Sequence, residues 1–322
     1  MPHVSGHRPV REHEWQRRLR LSLGGALGRL LFSAGIIDLA KRRIMSEETI
    51  MCICFHDPPP LQFEECIGWL SSAGFSFISQ DQMLEVARSG QWIGVGSVWV
   101  TLDDGWQGNL RLLPVIERHR VPVTIFAATS SCETSGVFWW TVAREYRRLL
   151  PQPFRDNPER LWHVPETERQ QIVVPLLRTA RATHAREALS PREINRLSGN
   201  PLVTFGSHTV AHPSLACCDD EQLESELRIS RQRIEEWTEA PVRVFAYPRG
   251  LCGAREAEAA SRAGYEVAVT TTGRRYRPGC DSPFAVPRVE LGDDSNPMAN
   301  IAKMVGLWEP LTGWARELRL RA

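Results

Sequence analysis

A short apolar strand that ends in two adjacent carboxylates constrains this chain more than any other stretch. Residues 98–102 are β-branched, aromatic or apolar, the pattern of a buried strand, and Asp103, Asp104 and Gly105 follow directly. Neighbouring side chains on a strand point to opposite faces, and Gly105 permits a bend, so the two carboxylates could lie in different surroundings. One could then bind a metal ion while the other stays free as a base. A simple turn that closes the strand is the alternative.

Two histidines follow a second apolar strand. Residues 202–206 lead into His208, and His212 comes four positions later. Two histidines and one carboxylate are a standard set of three protein ligands for a catalytic zinc ion, with a fourth position open for water. A pair of solvated loop histidines is the alternative, because this spacing is common by chance.

Three motifs together resemble a known family. Residues 101–105 (Thr-Leu-Asp-Asp-Gly) resemble the first motif of the polysaccharide deacetylases, which are carbohydrate esterase family four and share the NodB-homology domain. Residues 207–212 resemble the second motif, His-Ser/Thr-x-x-His, and residues 245–250 (Phe-Ala-Tyr-Pro-Arg-Gly) resemble the third. The motifs occur in the family's order, and the resemblance extends from about Met51 to about Leu291. It implies an α/β fold, a distorted, incomplete (β/α) barrel.

The rest of the pattern agrees with parallel β/α units. Strands are predicted at residues 50–55, 76–78, 121–127, 242–247, 266–271 and 284–291, and helices at 63–73, 80–88, 110–119, 220–236 and 256–263. The stretch between residues 129 and 199 is too long for a simple connection, so we interpret it as a helical insertion near the mouth of the barrel. The predicted organisation is an N-terminal helical extension (1–48), a deacetylase domain (49–292) with an insertion at about 130–199, and a C-terminal helical segment (293–322).

Charge and hydropathy limit the partners. The formal net charge of +1 gives no indication of nucleic-acid binding. The apolar run at residues 19–32 is interrupted by Arg29, which fits neither a transmembrane helix nor a signal peptide. A helix packed on the barrel is one interpretation, and a basic amphipathic helix on a membrane surface is the other. We therefore expect a cytoplasmic protein, with peripheral contact to the inner face of the membrane through this segment as an open alternative.

The resemblance assigns roles at the site. Asp104, His208 and His212 would hold a divalent ion, with zinc the default, and Asp103 would be the general base that takes a proton from the attacking water. A backbone N–H near Pro248 and Arg249 would stabilise the oxyanion.

The chain departs from the family pattern at two positions. Many members carry a general acid in a Leu-x-His motif near the C-terminus, but the last histidine here is His212. His56, after the first strand, is the candidate acid, because the related intermolecular-adhesin deacetylases place such a histidine there. A histidine that only anchors the first loop is the alternative. Ala246 stands where the family has the arginine that orients the base; Arg288 could replace that arginine or could be an ordinary surface residue.

The implied function is a metal-dependent hydrolase that removes an N-acetyl group from an amino sugar of a glycan or glycan precursor. The side chains expected to contact this substrate are Trp106, Trp140, Tyr247, Pro248 and Arg249. The tryptophans have flat faces that suit a sugar ring, although they could equally be core residues. The alternatives are a deacylase of O-acetyl or other sugar amides and esters, and an inactive homologue that binds glycans.

Overall fold

A computed structural model describes residues 14–180 and 184–308 of the chain. The strands are β1 Ile50–Phe55, β2 Ser76–Phe77, β3 Ser97–Leu102, β4 Val123–Ala127, β5 Val203–Ser207, β6 Val244–Ala246, β7 Val267–Val269 and β8 Val289–Glu290. The helices are α1 Glu14–Ser33, α2 Ile36–Ile44, α3 Pro60–Ser72, α4 Gln80–Ser89, α5 Leu113–His119, α6 Trp139–Glu145, α7 Glu166–Ala180, α8 Pro191–Ser198, α9 Asp220–Thr238, α10 Ala254–Arg262 and α11 Pro297–Met304. The outer parts of both predicted terminal segments, residues 1–13 and 309–322, lie outside the described residues, as do residues 181–183.

All the strand pairs are parallel. The sheet runs in the order β7-β6-β5-β4-β3-β1-β8, and β2 pairs with β3. Val286, just before β8, forms a further parallel bridge to Val269 of β7. The segment from Val286 through β8 therefore contacts both edges of the curled sheet. The predicted fold, a distorted and incomplete (β/α) barrel, is confirmed.

Successive side chains of β3 point alternately out of and into the curl. Val98 and Val100 belong to the large core between the sheet and the helices, whereas Trp99 belongs to a smaller core inside the curl. Asp103 continues the inward-facing series of Trp99 and Thr101, because side chains two apart share a face. The alternation thus directs the first carboxylate of the pair into the interior of the barrel.

The N-terminal helices pack on the outside of the barrel. Gly28 of α1 faces α11 so closely that a Cβ atom there would come within 2.6 Å of the Met298 carbonyl carbon. This face of α1 is therefore a packing surface. Among the described helices, none combines the length and the hydropathy needed to cross a bilayer.

The long stretch between β4 and β5 is mostly helical. It contains a π-helical turn at Ser131–Ser135, α6, a 3₁₀ turn at Pro158–His163, α7 and α8. Helix α8 packs on α9 and β5 like an ordinary crossover helix. The earlier part, α6 and the 3₁₀ turn, brings three tryptophans towards the carboxyl ends of the strands: Trp139, Trp140 and Trp162.

Candidate active site

The three predicted metal ligands meet at the carboxyl ends of β3 and β5. Asp104 Oδ1 lies 3.4 Å from Nε2 of His208 and 3.4 Å from Nε2 of His212. The two Nε2 atoms lie 3.0 Å apart, and all three side chains are buried. Donor atoms held about 2.1 Å from one tetrahedral ion stand about 3.4 Å from one another. The oxygen and two nitrogens therefore fit a zinc-type ion in both chemistry and spacing.

The backbone is left-handed at several of these positions. Asp104 (φ 70°) and Gly105 (φ 78°) turn the chain immediately after β3, and Thr209 (φ 68°) and His212 (φ 50°) shape the histidine loop. The bend thus begins at Asp104 itself, whereas the sequence suggested Gly105. A left-handed backbone at a non-glycine residue costs on the order of 1–3 kcal/mol, so surrounding contacts must hold each one in place.

Two hydrogen bonds orient the ligands. His208 Nδ1 lies 2.7 Å from the Ala246 carbonyl oxygen. Because a carbonyl only accepts, Nδ1 carries the proton and Nε2 is free to bind a metal. The indole N–H of Trp106 donates to Asp104 Oδ2 at 2.9 Å, which leaves Oδ1 turned to the histidines. This contact with Asp104 gives Trp106 a partner that the sequence did not indicate.

Burial and neighbouring charges set the protonation of these groups. Burial, followed by the nearby His208, lowers the pKa of His212 to about 3, so its imidazole is neutral and can act as a ligand. Burial alone would raise the pKa of Asp104, but the contact with His208 and the charge of His56 hold it well below its usual range. Asp104 is thus a carboxylate and His212 a neutral imidazole, the forms that zinc requires.

Two side chains, Glu226 and Arg169, hold the loop between the two histidines. Glu226 Oε2 accepts the backbone N–H groups of Val210 at 2.7 Å and Ala211 at 3.0 Å. Arg169 donates to the Ala211 carbonyl at 3.0 Å and pairs with Glu166. The peptide beside His212 is therefore fixed by both the carboxyl group of Glu226 and the guanidinium of Arg169.

Arg288 holds the second carboxylate of the Asp-Asp pair. Its Nη1 lies 2.7 Å from Asp103 Oδ1, and its Nη2 lies 2.7 Å from Oδ2. Arg288 is 0% exposed, so it is not the surface residue that the sequence left open. Burial alone would raise the pKa of Asp103, but the charge and hydrogen bonds of Arg288, together with the neighbouring histidines, lower it to about 2. Asp103 is thus a fixed, ionised carboxylate beside the ligand set.

His56 lies in the same pocket. A nitrogen of its ring lies within 4.8 Å of an Asp103 carboxylate oxygen and of the Cys54 sulfur. Burial alone would lower the pKa of His56, but the surrounding carboxylates, Asp104 first, raise it above its usual value. A histidine with a raised pKa is protonated over a wider pH range, which a proton donor needs.

The loop that carries His56 is fixed from two directions. Asp293 accepts the backbone N–H groups of His56 at 3.2 Å and Asp57 at 3.0 Å, and the Asn109 amide donates to the His56 carbonyl at 2.8 Å. Sequence reasoning missed Asp293, although an acidic residue just past the last predicted strand was an available signal.

The other described histidines lie elsewhere. His163 is exposed, and the ring of His184 sits 3.2 Å from Glu145 and 3.2 Å from Glu187 within the insertion. His119 faces Glu64 on the outside of the barrel. His56 is therefore the one non-ligand histidine among the described residues that lines this pocket.

The predicted substrate contacts divide into two groups. Trp106, Trp140 and Arg249 line the pocket, which has a volume of about 500 Å³. Tyr247 is instead fully buried and its hydroxyl donates to the Phe284 carbonyl at 3.0 Å, and Pro248 is buried beside it. These last two side chains are buried and are not among the residues that line the pocket, so their contact with a substrate stays a prediction. Trp162, which the Arg249 guanidinium overlies at 5.4 Å, is a lining residue that the sequence did not single out.

Comparisons with solved structures show the same fold. Deacetylase PplD of Streptococcus pyogenes, solved in complex with acetate, is 14% identical, with 80% of this chain and 98% of that chain covered and a TM-score of 0.58. IcaB of Ammonifex degensii is 17% identical, with 81% and 97% covered and a TM-score of 0.56. The BpsB deacetylase domain of Bordetella bronchiseptica is 15% identical, with 76% and 96% covered and a TM-score of 0.53. At these identities the likeness is one of fold alone.

A search of curated proteins found no match. The sequence model of a family described as polysaccharide deacetylase, in contrast, matches residues 93–268. That range covers more than half of the chain and contains the whole ligand set together with Asp103. By its sequence, its fold and the motifs that form its pocket, this chain belongs to the polysaccharide deacetylase family.

Proposed function

We propose that this protein is a metal-dependent hydrolase that removes an N-acetyl group from an amino sugar of a glycan or glycan precursor. One observation carries the proposal: Asp104, His208 and His212 converge beside the ion-paired Asp103 in a single pocket. A divalent ion at the three ligands, with zinc our expectation, would supply a Lewis acid that polarises the acetyl carbonyl and lowers the pKa of a water molecule.

Asp103 accepts the proton of the attacking water. Its two oxygens are held by Arg288, so the carboxylate cannot rotate away from the ligand set. Arg288 thereby takes the orienting role of the arginine that Ala246 replaces. We assign the hydrogen bond to the developing oxyanion to a backbone N–H near Pro248 and Arg249, where a left-handed turn borders the pocket.

His56 supplies the proton for the leaving group. As the carbon–nitrogen bond of the amide breaks, the nitrogen takes a proton from the imidazolium and leaves as the sugar amine. The water oxygen stays on the acetyl carbon, so the second product is acetate. The raised pKa of His56 and its place beside Asp103 support this role.

The pocket walls suit a sugar. Trp106, Trp140 and Trp162 supply aromatic surface, and the Arg249 guanidinium lies at the rim over Trp162. Aromatic faces pack against the apolar faces of sugar rings, and a guanidinium hydrogen-bonds to hydroxyl or anionic groups.

Acetate release tests the proposal against its alternatives. The substrates are an N-acetylglucosamine oligomer and an O-acetylated sugar, and the proteins are the wild type and Asp103→Asn. We expect release from the N-acetyl substrate and a loss of about 10²–10⁴-fold in the variant. Release from the O-acetyl sugar alone would favour the esterase alternative, and glycan binding without release by any metal-loaded sample would favour the inactive homologue.

The cellular location of the protein is also part of what we propose. We place the protein in the cytoplasm, where it would act in the assembly of a surface glycan. Its cysteines include Cys52, Cys54 and Cys66, whose unpaired thiols lie in the core, a state that a reducing compartment maintains. Cell fractionation should recover the protein in the cytoplasmic and membrane-associated fractions, and recovery from the medium would contradict this location.

A further inference from the structure

The end of α1 and the start of α2 expose large apolar side chains on one part of the surface. Leu30 is 65% exposed, Phe32 46%, Ile36 40% and Leu39 63%. The described chain exposes nine large apolar side chains in all, so almost half of them fall within ten residues. Single exposed apolar residues are normal, but a cluster of them marks a contact surface. We call these four residues the α1–α2 patch.

The patch continues along one face of α2. Ile36, Leu39 and Arg43 follow one another at helical spacing, and all three line a groove of about 670 Å³ between α2 and the residues after α11. Leu307 lies on the opposite wall of this groove. Ile37, on the other side of α2, is buried in the hydrophobic core. The helix is therefore apolar on both sides but covered on only one.

Basic side chains border the patch. Residues 29–43 contain four basic residues (Arg29, Lys41, Arg42 and Arg43) and one acidic residue, Asp38. Lys41 pairs with Asp38 at 3.4 Å, and Arg43 pairs with Glu47 at 3.1 Å, whereas Arg29 and Arg42 are exposed. Exposed apolar side chains flanked by arginine are the composition of a helix that lies in the headgroup region of a membrane.

This charge argues against a second copy as the occupant. A twofold interface would bring each patch against the same patch of the other copy, and so would bring two basic borders together. An anionic lipid surface neutralises them instead, with about 1 kcal/mol for each basic residue close to the headgroups, or about a fivefold change in binding.

We propose that the α1–α2 patch docks this protein on an anionic lipid bilayer. The apolar side chains enter the boundary between headgroups and acyl chains, and the arginines meet the lipid phosphates. Helix α2 leads into the start of β1, whereas the candidate site lies beyond the end of β1, so docking leaves the pocket open. The inference goes beyond the proposed function and does not depend on it.

Co-sedimentation with vesicles tests the docking surface without any assay of turnover. The full chain is mixed with vesicles of phosphatidylcholine, or of phosphatidylcholine with phosphatidylglycerol, at low and high salt. We expect binding to the anionic vesicles only, with weaker binding at high salt. Leu39→Ser should weaken it about tenfold or more, whereas Leu61→Ser, at a residue 77% exposed on α3, should leave it unchanged.

Two double variants test the contribution of the arginines to lipid binding. Arg29→Gln with Arg42→Gln should weaken binding to anionic vesicles about 30-fold. Arg192→Gln with Arg228→Gln, which removes two exposed arginines elsewhere, should change it far less. Circular dichroism checks that each variant is folded. The inference is overturned by no binding, by equal binding to neutral vesicles, by patch variants that bind like wild type, or by a dimer in light scattering that Leu39→Ser dissolves.

Discussion

The guanidinium of Arg288 donates hydrogen bonds to both oxygens of Asp103 inside the barrel, at 2.7 Å each, although the two residues are 185 positions apart in the chain. The arginine comes from the segment that joins the two edges of the sheet, and the aspartate comes from the end of β3. The segment that bridges the two edges of the sheet therefore also supplies the partner that orients the proposed base.

Loss of Arg288 should damage both stability and turnover. Arg288→Met leaves a buried carboxylate without its partner, which should lower the free energy of unfolding by about 3–5 kcal/mol. Arg288→Lys keeps the charge but not the two-point contact, so it should retain more stability and still lose turnover. Urea unfolding and acetate release measure the two effects.

The matched control is Arg277→Met. The Arg277 side chain also donates two hydrogen bonds to an aspartate, both to Asp281 Oδ1, at 3.3 and 2.8 Å, but it is 61% exposed. We expect Arg277→Met to lower the free energy of unfolding by at most about 1 kcal/mol and to leave turnover unchanged. Equal stability and turnover in Arg288→Met and Arg277→Met would contradict the role given to Arg288.

His56→Ala should keep the metal and lose turnover by about 10²–10⁴-fold, because the leaving amine would no longer have a proton donor. The basic side of the pH–rate profile should change with it. His119→Ala removes a histidine on the outer surface and should behave like wild type. Turnover close to wild type in metal-loaded His56→Ala would rule out His56 as the acid.

Trp106→Phe should weaken metal binding. The substitution keeps most of the aromatic ring but removes the N–H that donates to Asp104 Oδ2. Loss of a contact that orients a metal ligand typically costs about 10–100-fold in affinity. Competition with a chelator measures the metal dissociation constant. Trp99→Phe, which removes a buried tryptophan hydrogen bond to Thr124 instead, should leave that constant unchanged; the same constant in Trp106→Phe as in wild type would be evidence against the contact's role.

Glu226 should make stability depend on pH. Burial raises the pKa of Glu226 from 4.5 to about 7, and the N–H groups of Val210 and Ala211 offset this only in part. Between these pH values the folded protein keeps a proton that the unfolded chain has lost, so the free energy of unfolding falls as pH rises. The glutamine side chain cannot ionise, so its stability does not fall in this way. The free energy of unfolding of Glu226→Gln, relative to that of wild type, should therefore rise by up to about 3 kcal/mol between about pH 4.5 and pH 7.5.

Urea unfolding at both ends of that pH range measures this difference. The control is Glu224→Gln, at an exposed position of the same helix. Its difference from wild type in the free energy of unfolding should change little between the two pH values. A difference in the free energy of unfolding between Glu226→Gln and wild type that does not change with pH would contradict the prediction.

The sequence predicted the parts of this structure that depend on local pattern. Strand β1 has the predicted bounds, because its six residues are all apolar and buried. The last strand, predicted at residues 284–291, is only Val289–Glu290 after a 3₁₀ turn at Pro283–Ala285. Proline lacks an N–H donor, so Pro283 and Pro287 interrupt the ladder. Helix α3 begins at Pro60, earlier than the predicted Phe63, because proline suits the first helical position.

Contacts between distant segments could not be predicted in the same way. The bond from Asp293 to the loop of His56 spans 237 residues, and Glu226 belongs to a helix whose sequence shows only alternating charge. Such partners come together only in the folded chain, and a local sequence pattern does not identify them. The motifs still indicated that Asp103, Asp104, His208 and His212 would lie together, because they follow directly after strands and the carboxyl ends of parallel strands share one edge.

Metal content is the measurement that bears most closely on the proposed metal site. Asp104, His208 and His212 lie within 3.4 Å of one another through their donor atoms. Elemental analysis of the purified wild type should find one divalent ion per chain, and His208→Ala and Asp104→Asn, folded by circular dichroism, should each lose nearly all of it. Equal metal content in wild type and both variants would contradict a metal site at these residues, and with it the proposed chemistry.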